Sequence, residues 1–161
     1  MTIQPGDKLP SATLVKATAE GPDAVQTDEF FAGRKVALFS VPGAFTPTCS
    51  ARHLPGFLDK IDELKAKGID EVACTAVNDP FVMAAWAKQA GAEGKVTMLS
   101  DGNGTFAKAL GLEFDGTKIG MGLRGKRYSM IVDDGVVKQL NVEQPGEFQV
   151  SSAEYMLAQL G

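Results

Sequence analysis

Val36-Ala37-Leu38-Phe39-Ser40-Val41-Pro42-Gly43-Ala44-Phe45-Thr46-Pro47-Thr48-Cys49-Ser50 joins an apolar run to a proline-stiffened loop and closes on a cysteine. Lys35 to Ser40 reads as a strand buried on both faces, because a short continuous apolar run bounded by loop residues suits a sheet interior. Beyond the loop, Leu54, Phe57, Leu58, Ile61 and Leu64 keep helical spacing from about Cys49 to Lys67, with Gly68 as the C-terminal cap. Pro55 falls inside that pattern and predicts a kink or break. Cys49 therefore stands in the first helical turn. Free N–H groups and the positive helix end there favour a thiolate, the reactive form of cysteine.

Outward from this unit the pattern alternates. Val72 to Val77 reads as a central strand, and Asn78-Asp79-Pro80 opens a helix with Asp79 as cap, carrying Phe81, Val82, Ala85 and Trp86. Val96 to Leu99 reads as a strand and Thr105 to Leu110 as a short helix closed at Gly111. Arg127 to Val132 and Val136 to Val142 flank Asp133-Asp134-Gly135, a hairpin signal. Ser151 and Glu154 predict a capping box for a last helix with Tyr155, Met156, Leu157 and Leu160. Strands alternating with helices, then a hairpin, predict an α/β fold with a mixed central sheet flanked by helices.

The chain has 161 residues, with no repeat, linker or low-complexity tract, which predicts a single domain over residues 1–161. Hydrophobic residues at 44% and charged residues at 22% are an ordinary globular mixture. A net charge of -4 speaks against nucleic acid, and no segment is apolar for long enough to cross a bilayer, so no membrane association is expected. Met1 to Asp7 lacks the basic start and apolar core of a signal peptide. Two cysteines, Cys49 and Cys74, make no disulfide framework, and a cytoplasmic location is expected.

A free cysteine is most often a small buried hydrophobe. The loop around Cys49 argues otherwise, because Pro42, Gly43 and Pro47 build a polar turn that an inert thiol does not need. Thr46 and Thr48 bring hydroxyls beside the sulfur that can donate hydrogen bonds to it or to a bound oxygen. Cys74 lies in Glu71-Val72-Ala73-Cys74-Thr75-Ala76-Val77 and reads as an inert core thiol, the alternative being attack on an oxidised Cys49. His53, the only histidine, follows Cys49 by four residues. A Cys–His pair could serve a hydrolase or a metal, but neither an orienting group nor a ligand cluster accompanies it, so no metal is expected and a structural or thiolate-modulating role fits better. Arg124-Gly125-Lys126-Arg127-Tyr128 is either a solvated strand edge or the source of a guanidinium beside the sulfur.

Pro42 to Ser50 followed by His53-Leu54-Pro55-Gly56-Phe57 resembles the active-site signature of the peroxiredoxins, specifically the atypical type II, peroxiredoxin-5-like group. Val77-Asn78-Asp79, Lys126 to Met130, Asp134 to Val137 and Leu140-Asn141-Val142 match too, so the similarity covers nearly the whole chain. The resemblance implies a thioredoxin-like fold, no cofactor, a homodimer joined through the active-site loops, and reduction of hydrogen peroxide and organic hydroperoxides. Cys49 would be the peroxidatic cysteine, Pro42 its shield, and Gly43, Phe45, Thr46 and Arg127 the substrate contacts, with Arg124 a competitor for the arginine role. Phe148 to Ala153 lacks the resolving cysteine of two-cysteine members. That departure implies an external reductant, glutathione with glutaredoxin, against the alternatives of a cycle through Cys74 and thioredoxin or a redox-sensing binding module.

Overall fold

The computed structural model describes residues 2–161, so Met1 of the N-terminal segment lies outside the described residues. The first half runs β1 (Thr13–Thr18), β2 (Gly21–Gln26), α1 (Thr27–Phe30), β3 (Lys35–Ser40), a wide π turn (Cys49–His53), α2 (Leu54–Asp59), α3 (Ile61–Ala66) and β4 (Glu71–Ala76). There follow α4 (Pro80–Ala90), β5 (Thr97–Ser100), α5 (Thr105–Leu110), β6 (Glu113–Gly116), β7 (Gly122–Gly125), β8 (Tyr128–Asp133), β9 (Val136–Val142) and α6 (Ala153–Leu160).

Seven strands form one mixed sheet in the order β2-β1-β5-β4-β3-β8-β9, with β3, β4 and β5 parallel and the remaining pairs antiparallel. Helical crossovers are what parallel neighbours require, and α2 with α3 and then α4 supply them. Strand β3 sits between β4 and β8, which explains its continuous apolar run. Its side chains alternate: Ala37 and Phe39 enter one core with Phe57, Leu64, Met83, Trp86 and Met156, while Val36 and Leu38 enter the other with Phe31, Phe106 and Leu110. Helices therefore cover both faces, as the mixed-sheet expectation requires.

Local signals place most of these elements. Asp79 accepts from Val82 N at 2.8 Å and Pro80 occupies the first turn of α4, which ends on Gly91 in the left-handed region. In the last hairpin Asp134 and Gly135 both have positive φ, 50° and 80°, the conformation a tight two-residue turn needs. Sequence and structure part in three places. The helical stretch from Cys49 to Lys67 is broken, as Pro55 predicts, but into the π turn, α2 and α3: Pro55 sits in the first turn of α2, where its missing N–H costs least, and α2 and α3 meet at Lys60. The cap of α6 is Ser152, whose side chain accepts from Tyr155 N at 3.1 Å, and not Ser151, which bonds Glu143. Two hairpins, β1–β2 and β6–β7, lie outside the sequence reading because β2 is an exposed edge containing Pro22 and β6–β7 is polar and glycine-rich.

Replacing Ser152 by Ala removes the α6 cap and lowers stability by about 1 kcal/mol. The urea unfolding midpoint, at unchanged slope, measures it.

Candidate active site

The loop after β3 is clamped at several points. Ala44 N donates to Asn78 Oδ1 at 2.9 Å, tying it to the loop that starts α4. Thr46 Oγ1 donates to Gly43 O at 2.7 Å and Ser50 N to Thr46 O at 2.9 Å. Ser50 Oγ accepts from Trp86 Nε1 of α4 at 3.0 Å. A side chain at Gly43 would press on Thr46, Arg124 and Met121 at 3.1 to 3.3 Å, so the loop passes close against the β6–β7 hairpin. Phe45, at φ 67°, holds the left-handed region that a bulky residue rarely adopts, and its ring is exposed. The clamps leave Cys49 fully buried at the start of the π turn. The donor role expected of Thr46 changes accordingly: its proton is committed to Gly43 O, which leaves the oxygen as an acceptor only. The N–H groups of Thr46 and Ser50 are likewise spent within the loop, and that of Ala44 on Asn78.

The guanidinium comes from across the sheet. Register pairs Ser40 with Tyr128, so Arg127 falls opposite Val41, on the face that Ile131 shares with Cys49. Arg127 Nη2 donates to Cys49 Sγ at 3.0 Å and Nη1 reaches His53 Nδ1 at 2.9 Å. Lys126, one residue earlier, is exposed. Arg124, the competitor, bonds Met121 O and approaches Pro42 O at 3.5 Å, so it braces the loop and not the sulfur.

Arginine has no acceptor, so Nδ1 must be the bare nitrogen of His53, and Nε2–H donates to Ser151 O at 2.9 Å. Phe39, Phe57 and Phe148 surround the ring with centroids 4.8, 5.7 and 4.9 Å away. Burial first and the Arg127 charge second push the imidazole down to about 3, opposed in part by the Ser151 bond. A neutral, oriented histidine that holds an arginine is neither a general base nor a metal ligand. Among the described residues no group of His, Cys, Asp and Glu is arranged to hold a metal.

Cys74 lies under the site in β4, fully buried. Burial pushes its thiol well up, Cys49 nearby adds to this, and Arg127 opposes it. Little of it is present as the attacking thiolate. Two residues to which the sequence reading gave no part in the site also hold it. Asn78, read as a helix start and as part of a matching segment, fixes the loop. Glu143 accepts from Gln149 N, Val150 N, Ser151 N and Ser151 Oγ through one carboxylate oxygen, and nothing in Glu143-Gln144-Pro145-Gly146 announces it.

Residues 4–157 match the Redoxin family. The chain is 51% identical to Peroxiredoxin-2E, chloroplastic, of Arabidopsis thaliana over 99% of its own length and 70% of that protein's. It is 47% identical to Peroxiredoxin-2B of the same plant over 98% of each. The crystal structure of reduced Prx3 in complex with H2O2 from Vibrio vulnificus superposes with a TM-score of 0.95 at 53% identity, covering 99% of this chain and 100% of that one.

The imidazole stays neutral in the fold, so its ring-carbon proton signals show no inflection between about pH 5 and 8, where a free histidine titrates near 6.5. The unfolded chain binds that proton below about 6.5 and the native one does not, so stability falls as pH drops through this range. Ring-proton NMR and urea midpoints at pH 7.5 and 5 test both.

Proposed function

The chain belongs to the peroxiredoxin family, in its type II group, and is a thiol peroxidase with Cys49 as the peroxidatic cysteine; on that premise we propose how the residues around Cys49 divide the work. The observation that carries the reading is the Arg127 hydrogen bond to the sulfur. Cys49 attacks the near oxygen of the hydroperoxide in line with the O–O bond. The S–O bond forms as the O–O bond breaks, the sulfur is oxidised to sulfenic acid, and the departing oxygen takes a proton and leaves as water or an alcohol. Arg127 holds the sulfur as an acceptor and has donors to spare for the charge that moves to the leaving oxygen. Thr46, its own proton given to Gly43, accepts the peroxide O–H and orients it. Gly43 and Phe45 line the approach, and Pro42 screens the sulfur from bulk water.

An external thiol closes the cycle in this reading. Glutathione attacks the sulfenic acid, water leaves, and a mixed disulfide forms on Cys49. Exchange with a second thiol through glutaredoxin then restores it. Support comes from Phe148 to Ala153, which lacks a cysteine, and from the burial of Cys74, which disfavours the alternative cycle through that residue and thioredoxin. Because Cys49 is enclosed, the π turn must open for the thiol to reach it. A cycle ending on glutathione suits the reducing cytoplasm. A homodimer through the active-site loops fits Phe45, an exposed apolar side chain on the loop that carries Cys49. The family match over residues 4–157 supports reading the whole chain as one domain.

Stopped-flow peroxide reduction tests the roles. Cys49→Ser abolishes turnover while Cys74→Ser keeps it, and Arg127→Met slows peroxide attack by ~10²- to 10³-fold, the usual cost of losing a transition-state donor. For the reductant, intact mass after one equivalent of peroxide and then glutathione shows an adduct on Cys49. Loss of two protons across Cys49 and Cys74 would point instead to the internal bridge.

A further inference from the structure

Glu143 N donates to Arg127 O at 3.0 Å, where the last rung of the β8–β9 ladder gives way to the loop before α6. The Glu143 side chain turns back under that loop. Its Oε2 accepts from three successive backbone N–H groups, Gln149, Val150 and Ser151, at 2.7 to 2.8 Å, and from Ser151 Oγ at 2.6 Å. Four donors on one oxygen, with the residue only 8% exposed, suit a carboxylate and not a neutral group. The turn so fixed presents Ser151 O to His53 Nε2, and also carries Phe148, which packs on the imidazole.

We propose that Glu143 is a positioning residue for peroxide attack: its carboxylate sets the 149–151 turn, the Ser151 carbonyl fixes the His53 tautomer, and His53 then holds Arg127 on Cys49. The inference rests on the role of Arg127 given above. Without an acceptor at Nε2, the His53 proton is free to move to Nδ1. An Nδ1–H cannot accept from the guanidinium, and Arg127 loses the contact that aims it. Glu143 touches neither sulfur nor peroxide. It acts through two other residues and a peptide bond.

The test uses the full chain with Glu143→Gln, which keeps shape but removes the charge that gathers the four donors. The rate of Cys49 oxidation by hydrogen peroxide falls roughly 10- to 100-fold, the scale of a misplacement of about 1 Å at a reacting group. The lone histidine makes the second readout unambiguous: ¹⁵N shifts of the ring move from a single Nε2–H tautomer to averaged values. Glu143→Gln in the Arg127→Met background costs little more than Arg127→Met alone, because both act through one contact. A folded Glu143→Gln chain with unchanged rate and tautomer overturns the proposal, as does full additivity with Arg127→Met. If Arg127→Met itself leaves the rate untouched, the role of Arg127 has failed, and with it the basis of the inference.

Discussion

A guanidinium does not surrender its proton at any working pH, so every atom it touches must be an acceptor. That single constraint organises the site. Arg127 reaches Cys49 with one nitrogen and His53 with another, and thereby dictates which imidazole nitrogen is bare. The histidine in turn must find an acceptor on its far side, and the carbonyl of Ser151 is there. The protein then has to keep the histidine from charging, because a cation beside Arg127 would repel it. Enclosure by Phe39, Phe57 and Phe148 does this by withholding water.

How the arginine arrives is a matter of strand parity. Residues 127, 129 and 131 share one face of the sheet, and one step of register would have sent Lys126 to the sulfur instead. The aliphatic and aromatic pattern of β8, with Met130 and Val132 to one core and Ile131 to the other, locks that register. Core packing in a strand far from Cys49 in sequence thus chooses the side chain that meets it. Ser40 Oγ, bonded to Lys126 O at 2.9 Å, pins the same junction from β3.

Elements written in local signals were legible from the sequence. The strand of Lys35–Ser40, the Asp79 cap of α4, the glycine-closed α5 and the tight turn at Asp134-Gly135 each depend on neighbours within a few residues. So did the cysteine loop, whose prolines and hydroxyls mark it as chemical. What stayed hidden is long-range or satisfied off-pattern. The resemblance favoured Arg127 over its competitor Arg124, and the β3–β8 pairing supplies the physical reason. Ser151 looked like a cap because it precedes Glu154 by three. The structure spends it on Glu143, and Ser152 takes the helix. The hydroxyl of Thr46 was read as a donor, yet it gives its proton to Gly43 O, which no spacing reveals.

The hydrogen bond from Trp86 to Ser50 has a practical side. Trp86 is the sole tryptophan of the chain, buried and bonded to the residue next to the reactive sulfur. In the external-thiol cycle proposed above the π turn opens, and the indole would then lose that partner, meet water and shift its emission. On that proposal the molecule carries its own optical gauge of whether the turn is shut, readable in real time without a label.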